Sequence, residues 1–147
     1  MEKQEKNSAL VAKCTELIQA FNSFEKSMSI DLKNIKDEIE LDTLKCGQLQ
    51  KFKYTLELFW KYLKSYLFTE KGIDAQGPKD VIRQFAKFNH LTPTEIEVLL
   101  EIIDDRNKVA HEYKDYVMSM IYPKLHSYLS IIKQLISVKA KNVFTSQ

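Results

Sequence analysis

The sequence has few of the residues that make turns, with three glycines and three prolines among 147 residues. That number is too small for the many tight turns of a β-rich protein, so we expect an all-α fold. The chain also has only two cysteines, Cys14 and Cys46, and they lack C-x-x-C spacing. We interpret them as two reduced core thiols of a cytosolic protein.

Long apolar runs are absent as well. No uninterrupted apolar stretch approaches the length of a membrane span, so we expect no contact with a membrane. The charged start, MEKQEKNSAL, contains no apolar region typical of a secretory signal. We therefore expect a cytoplasmic protein.

The motifs of most metal- and nucleotide-dependent enzymes are also missing. The sequence has no Gly-rich phosphate loop, no zinc-ligand spacing and no H-E-x-x-H motif. Asp104 and Asp105 are adjacent, so on a helix they point in different directions rather than forming a metal site. His90 and His126 fit ordinary loop and surface positions. We expect no metal site and no cofactor.

Arginine is the scarce basic residue. The net charge is only +2, which is too weak to indicate nucleic-acid binding by itself. Of the 22 basic residues, two are arginines, at positions 83 and 106. Arg106 lies in the stretch RNKVAHEY, together with His111, one of three histidines in the chain. In a chain so rich in lysine, an arginine is the better indicator of a specific role.

Apolar residues recur at helical spacing along most of the chain, which predicts an up-and-down bundle of about four to five helices. We expect a single domain over residues 1–147, with frayed ends at about 1–6 and 140–147. The first helix should begin with a cap at Asn7 or Ser8. Its buried stripe follows a 4-3-4-3 spacing: Leu10, Cys14, Leu17, Phe21, Phe24 and Met28.

The second helix is predicted to be the spine of this bundle. It should run over about residues 43–71 and end at Gly72. Within it, Glu57 and Lys61 form an i,i+4 pair in the favourable orientation. The charged segment before it, residues 31–41, is expected to be a short helix or an extension.

Proline and capping residues predict the remaining helix boundaries. A third helix should start near Pro78, and the TPTE sequence at residues 92–95 predicts a capping box at the start of the fourth. A fifth helix is expected over about residues 115–139. Because Pro123 lies inside its pattern, that helix should kink or break near Ile121.

Helical geometry arranges the residues of RNKVAHEY. At 100° per residue, Asn107 lies about 100° and His111 about 140° from Arg106, so the three form an arc. Tyr113 falls at about 340°, across the helix from His111. If the helix ends near Glu112, however, Tyr113 is freed from that position.

An arginine and a histidine on one arc can cleave a phosphodiester without a metal. The guanidinium binds phosphate and stabilises charge on its oxygens, and the imidazole moves a proton near neutral pH. A ribose 2′-OH can serve as the internal nucleophile. The alternative is structural: Arg106 pairs with a nearby Asp, and His111 is a cation at a helix C-terminus.

Two stretches together carry a resemblance to a known family. FKYTLELFWKYLKSYL at residues 52–67 is followed by DDRNKVAHEY at residues 104–113. The chain resembles the HEPN superfamily, and within it the branch described as nucleotidyltransferase substrate-binding proteins. That branch looks like the toxin half of a HEPN–nucleotidyltransferase toxin–antitoxin pair. Lys53 departs from the pattern, since many relatives have an acidic residue there.

The resemblance implies a helical bundle that forms a homodimer and brings two copies of the motif together in a cleft. Arg106 and His111 would match the catalytic pair of a metal-independent endoribonuclease that acts on RNA, with Asn107 as the polar residue beside them. Tyr113 would match the position that a partner nucleotidyltransferase, the antitoxin, modifies with AMP (AMPylation). Two alternatives stay open: a non-catalytic subunit that presents a substrate to the nucleotidyltransferase, and a helical interaction protein in which RNKVAHEY is structural.

Overall fold

The computed structural model describes residues 1–136, and all the regular structure within them is helical. The expected all-α fold is therefore confirmed. The elements follow in this order: α1 (Glu2–Met28), a 3₁₀ turn (Leu32–Asn34), α2 (Glu38–Lys71), α3 (Pro78–Asn89), α4 (Pro93–His111), α5 (Lys114–Tyr116), a π-helical turn (Val117–Ile121), a second 3₁₀ turn (Tyr122–Lys124) and α6 (Leu125–Gln134). No helix among these residues is long and apolar enough to cross a membrane.

Helix α1 begins earlier than the sequence predicted. The predicted cap at Asn7 or Ser8 is wrong, because the helix starts at Glu2 and its first turn, expected to be frayed, is helical. The negative charges of Glu2 and Glu5 in that turn interact favourably with the helix N-terminus. Glu2 also pairs with Lys6 at 3.1 Å. The predicted apolar stripe is confirmed, because all six of its residues are buried. Of the two cysteines predicted to lie in the core, Cys14 is buried in this stripe, but Cys46 of α2 is exposed, so that prediction is wrong for Cys46.

Helix α2 also begins earlier, at Glu38 rather than near residue 43. Asp37 is the reason: its carboxylate accepts hydrogen bonds from two backbone N–H groups of the first turn, both at 2.9 Å. Residues 31–41 were predicted to form either a short helix or an extension of α2. From Glu38 onward they are an extension of α2. The residues before it form only the 3₁₀ turn, which Asp31 caps.

The predicted ends and starts of the middle helices are confirmed. Gly72 ends α2 in the left-handed conformation, with φ at 68°, which glycine adopts without strain. Pro78 is the first residue of α3. At the start of α4, the Thr92 hydroxyl accepts from the Glu95 N–H at 3.1 Å, and the Glu95 carboxylate accepts from the Thr92 N–H at 3.0 Å. This is the predicted capping box.

The C-terminal segment, residues 114–134, is not one regular helix. Two α-helical pieces flank the π-helical and 3₁₀ turns around Pro123. Proline has no backbone N–H, and its ring clashes with the preceding turn, so regular α-helical hydrogen bonding cannot pass through it. The predicted break near Ile121 is confirmed, whereas the predicted end at residue 139 lies outside the described residues.

Helix α2 is central because it packs against α1, α3 and α4. In the core, the ring of Phe52 lies 6.1 Å from Phe24 of α1 and 5.9 Å from Tyr128 of α6, measured between centroids. These three aromatic residues are all buried. Phe52 of α2 therefore contacts both α1 and α6.

Candidate functional site

The two adjacent aspartates of α4 point in different directions, as expected for a helix. Asp105 is buried, and its Oδ2 accepts hydrogen bonds from Lys124 at 2.8 Å and from the Tyr128 hydroxyl. Asp104 is partly exposed and pairs with Lys79 of α3 at 2.7 Å. Asp105 therefore fixes α4 against the C-terminal segment, and Asp104 fixes it against α3.

The two donors to Asp105, Lys124 and Tyr128, both have raised pKa values. The hydrogen bond to Asp105 is the main reason that the pKa of Lys124 is raised. Burial is the main cause of the raised pKa of Tyr128, followed by its hydrogen bond to Asp105. Both groups therefore remain donors at neutral pH, and the buried carboxylate stays satisfied.

Arg106, the next residue of α4, faces α2. Its Nη2 donates to Glu57 Oε2 at 2.7 Å, and its Nη1 donates to Asn107 Oδ1 at 3.1 Å. The Nε is buried and has no hydrogen-bond partner in the described part of the chain. In the structural alternative, Arg106 pairs with a nearby Asp; the structure shows a carboxylate partner, but it is Glu57 on α2.

Glu57 contacts both Arg106 of α4 and two residues on the outer face of α2. It accepts from Trp60 Nε1 at 3.2 Å and pairs with Lys61 at 3.0 Å, in addition to Arg106. Burial alone acts to raise the pKa of the Glu57 carboxyl. The hydrogen bonds from Lys61 and Trp60 and the positive charges of Arg106 and Lys61 outweigh it, so the pKa is lowered.

Asn107 and His111 lie on the exposed side of α4, one helical turn apart. Within the predicted arc, a hydrogen bond joins Arg106 to Asn107. His111, the third residue of the arc, makes no hydrogen bond or ion pair with another side chain within residues 1–136. His111 is the last residue of the helix, so its side chain faces solvent at a helix C-terminus.

Tyr113 lies outside the helix. Helix α4 ends at His111, Glu112 is extended, and Tyr113 is extended as well before α5 begins. The side chain is 85% exposed, the highest value for a large apolar or aromatic residue after Met1. The prediction that the helix ends near Glu112 and frees Tyr113 is confirmed.

The other histidines are away from this cluster. His90 ends α3 in the left-handed conformation, and His126 is exposed on α6. No group of three or more His, Cys, Asp or Glu side chains within residues 1–136 is arranged to hold a metal ion.

Comparison with known proteins identifies the family. A family model described as nucleotidyltransferase substrate binding protein like matches residues 12–139. The chain belongs to this family. The resemblance carried by RNKVAHEY and the aromatic helix is thereby confirmed.

A solved structure shares the fold of this substrate-binding-like protein. It is a crystal structure of a protein from Thermus thermophilus, with 25% sequence identity, a TM-score of 0.68, and coverage of 82% of this chain and 96% of that chain. No curated protein matches this sequence.

Sequence reasoning missed the role of Glu57. The i,i+4 spacing of Glu57 and Lys61 suggested only a surface pair on one helix. Arg106 follows Glu57 by 49 residues, and no local pattern links the two positions. Only the packing of α4 on α2 brings them together.

Replacing Glu57 with Gln tests how much the ion pairs of Glu57 with Arg106 and Lys61 stabilise the fold. Because the pKa of Glu57 is lowered in the folded state, its carboxylate contributes its full stabilisation at pH values above 4.5, the ordinary pKa. This contribution is lost as the pH falls through the lower pKa of the folded state. We expect Glu57→Gln to reduce the free energy of unfolding by roughly 1–2 kcal/mol at neutral pH. The difference from the unaltered protein should shrink below pH 4.5.

Urea unfolding across this pH range measures the effect. Glu97→Gln is the matched control, because Glu97 is an exposed carboxylate of α4 and makes no ion pair within the described residues. A difference between Glu57→Gln and the unaltered protein that stays constant, or grows, as the pH falls would contradict the assigned role of Glu57.

Proposed function

We propose that this chain is the RNA-cleaving half of a two-component pair whose other half is a small nucleotidyltransferase. The supporting observation is the exposed end of α4, where Arg106, Asn107 and His111 share an arc and Tyr113 stands free beside them. Membership in the nucleotidyltransferase substrate-binding-like family supports the choice of partner.

The proposed reaction is a metal-independent transesterification. The ribose 2′-OH attacks the adjacent phosphorus, the P–O5′ bond breaks, and a 2′,3′-cyclic phosphate forms. His111 accepts the 2′-OH proton or protonates the departing 5′-oxygen, since an imidazole near neutral pH can do either. Arg106 stabilises the negative charge that develops on the phosphoryl oxygens.

The guanidinium of Arg106 keeps donors for this task. An arginine side chain has five N–H groups, and two of them are used by Glu57 and Asn107. Glu57 therefore orients the planar group while one further N–H on each terminal nitrogen can reach a phosphate. A fixed guanidinium loses little entropy when it binds an anion, which favours a transition state.

Tyr113 is the proposed point of control. In the partner's active site its hydroxyl oxygen attacks the α-phosphorus of ATP, pyrophosphate leaves, and the hydroxyl proton passes to a base of the partner. A tyrosine is a poor nucleophile without such help, because its ordinary pKa is near 10. The attached phosphate would attract Arg106 and repel incoming RNA, which silences the site.

A homodimer is part of the proposal. Lys114 pairs with Asp42 at 2.7 Å, which brings the start of the C-terminal segment to the first turns of α2. Ile39 in the first turn of α2 is 77% exposed and Met120 in the C-terminal segment is 54% exposed, and Tyr113, which precedes Lys114, is exposed as well. Apolar side chains exposed in this way are typical of protein interfaces. A two-fold contact here would bring two copies of the motif close together.

A non-catalytic subunit that presents a substrate to the nucleotidyltransferase is the second candidate. The observation that favours it is the short contact between Arg106 and Glu57, because a carboxylate at 2.7 Å competes with phosphate for the guanidinium. In that case Arg106 and Glu57 stabilise the fold, and Tyr113 is modified without any RNA being cleaved.

RNA cleavage separates the two candidates. We expect the purified chain to cut RNA in EDTA and to leave cyclic phosphate ends, and His111→Ala to lower the rate by roughly 10²- to 10⁴-fold. Arg106→Lys should also lower the rate sharply, because lysine lacks the planar guanidinium that binds a phosphate through two N–H groups. Arg106→Ala should lower the rate only modestly more than Arg106→Lys.

His126→Ala is the control for this experiment, since His126 is an exposed histidine away from the motif. Folding of every variant is checked by circular dichroism. If EDTA abolishes cleavage and added metal restores it, the proposed mechanism is wrong. If Arg106→Ala unfolds the protein, Arg106 is a structural residue.

Modification of Tyr113 is tested by incubating the chain with a nucleotidyltransferase encoded beside its gene, together with ATP and Mg²⁺. We expect one or more AMP groups on the chain by intact mass, located on Tyr113 by peptide mapping, together with loss of RNA cleavage. Tyr113→Phe should remain active and gain no mass, and Tyr116→Phe should be modified normally. A mass gain that survives Tyr113→Phe would show that the acceptor is another residue.

The oligomeric state is measured by light scattering at micromolar concentration. We expect a dimer that Ile39→Lys and Met120→Lys each convert to a monomer, because a buried charge at a two-fold contact is repeated in both copies. Phe88→Lys, at an exposed site on α3, should leave the dimer intact. A monomeric unaltered protein would contradict this part of the proposal.

A further inference from the structure

Lys53 is a partly buried lysine of α2 that makes no hydrogen bond, ion pair or ring contact within residues 1–136. Other partly buried lysines near the end of α4 have partners. Lys124 binds Asp105, and Lys108 lies over the ring of Tyr116, 5.9 Å from its centroid. Withdrawing an ammonium group from water without a partner costs free energy. The charge of Lys53 is therefore free to pair with an anionic ligand.

Lys53 lies on the face of α2 that meets α4. At 100° per residue, it is rotated by about 40° from Glu57, one turn further along the helix, and by about 60° from Gln50, one turn before it. Glu57 contacts Arg106 of α4 at 2.7 Å. Gln50 shares a small cavity with Val109 of α4. Because the residues on both sides of Lys53 meet α4, Lys53 lies alongside α4 between these two contacts.

The part of α4 opposite Lys53 belongs to the candidate site. Ala110 follows Arg106 by one turn and is rotated by about 40° from it, in the direction of Asn107 and His111. Ala110 is exposed, so at this level α4 presents only a methyl group to solvent. A ligand bound at Arg106 can therefore also reach Lys53.

This edge between α2 and α4 has more positive than negative charge. Lys53, Lys61 and Arg106 are cations, and Glu57 is the carboxylate that pairs with the last two. If Glu112 at the end of α4 is also counted, an excess of one positive charge remains. Because Lys61 and Arg106 share Glu57, Lys53 is the cation without a partner on this edge within the described residues. An anion that binds Arg106 would thus be attracted by a second cation.

We propose that Lys53 binds a second phosphate of the substrate RNA, next to the phosphate held by Arg106. This inference rests on the proposed function, which supplies RNA as the substrate of the site. Glu57 holds the guanidinium at one level of α2, and Lys53 is attached about 6 Å further along the helix axis. Cations separated in this way suit neighbouring phosphates of one strand, and an ammonium binds phosphate as a point charge. Lys53 thereby contributes to substrate binding and not to proton transfer.

A short 2′-O-methyl oligouridylate tests this contact without cleavage, because its methylated 2′-oxygen cannot attack the phosphate. Binding is measured by anisotropy of the labelled oligonucleotide. We expect Lys53→Gln to weaken binding roughly threefold or more and to reduce the slope of log K against log salt by about 0.7, the value for one phosphate on a single strand. Lys53→Arg keeps the charge and should bind like the unaltered protein. If Lys53 shared the phosphate of Arg106, the slope would stay nearly unchanged, because the arginine would still neutralise that phosphate.

Lys51→Gln is the matched control. Lys51 lies two residues before Lys53 on the same helix and donates to Ser23 of α1 at 2.6 Å, so it faces α1 rather than α4. The substitution makes the same change in net charge, and we expect it to leave the affinity and the salt slope unchanged. Urea unfolding of Lys53→Gln should match that of the unaltered protein, because Lys53 makes no polar contact within residues 1–136.

Three results would overturn the inference. They are no binding of the oligonucleotide, equal losses for Lys51→Gln and Lys53→Gln, and weaker binding of Lys53→Gln with an unchanged salt slope. Failure of the proposed function is distinguishable from these results. RNA cleavage with a KM that Lys53→Gln does not change keeps the ribonuclease and removes the role of Lys53. Oligonucleotide binding that depends on Lys53, without any cleavage of RNA, keeps the contact and removes the ribonuclease.

Discussion

The buried carboxylate of Asp105 determines how α4 is rotated about its own axis. A carboxylate in the core is stable only when donors surround it, and Lys124 and the Tyr128 hydroxyl supply them from the C-terminal segment. Because each helical residue advances by 100°, fixing Asp105 inward also fixes its neighbours. Arg106 turns toward α2, and Asn107 turns toward solvent. The candidate site is therefore a consequence of a structural contact one residue away from it.

The contact between Arg106 and Glu57 stabilises the fold, but it would oppose phosphate binding in the proposed RNA cleavage. It gives the partly buried guanidinium a carboxylate partner, although the Nε of Arg106 has no hydrogen-bond partner within residues 1–136, and it holds the planar group in one orientation. The same carboxylate repels an incoming phosphate. Two hydrogen bonds from the outer face of α2, donated by Trp60 and Lys61, share the charge of Glu57 and weaken that repulsion. In the proposed ribonuclease, Glu57 is thus a residue that positions Arg106.

Irregular backbone follows the motif directly. After His111 the chain is extended for two residues, and the π-helical and 3₁₀ turns that follow end at Lys124, just past Pro123. Such turns place side chains at angles that a regular helix does not allow. The extended residues after His111 expose Tyr113, whereas Val117 and Ile121 of the π-helical turn are buried. An accessible tyrosine and a packed segment therefore occur within ten residues of each other.

The sequence by itself determined most of the helices, because their signals are local. The 4-3-4-3 stripe of α1, the capping box at Thr92, the stop at Gly72 and the break at Pro123 each depend on a few neighbouring residues. Where these predictions failed, at the starts of α1 and α2, acidic residues outside the apolar pattern stabilised additional turns. The arc of Arg106, Asn107 and His111 could likewise be derived from helical geometry, and its family resemblance from a short motif.

Only the tertiary structure decided which groups those residues meet. Glu57 and Arg106 are separated by 49 residues, and Asp105 and Tyr128 by 23. Neither pair has a sequence pattern, because the contacts depend on how helices pack rather than on spacing along one helix. Local patterns determine where a helix begins and ends, but its rotation and its partners are determined by the buried charges and rings that must be satisfied together.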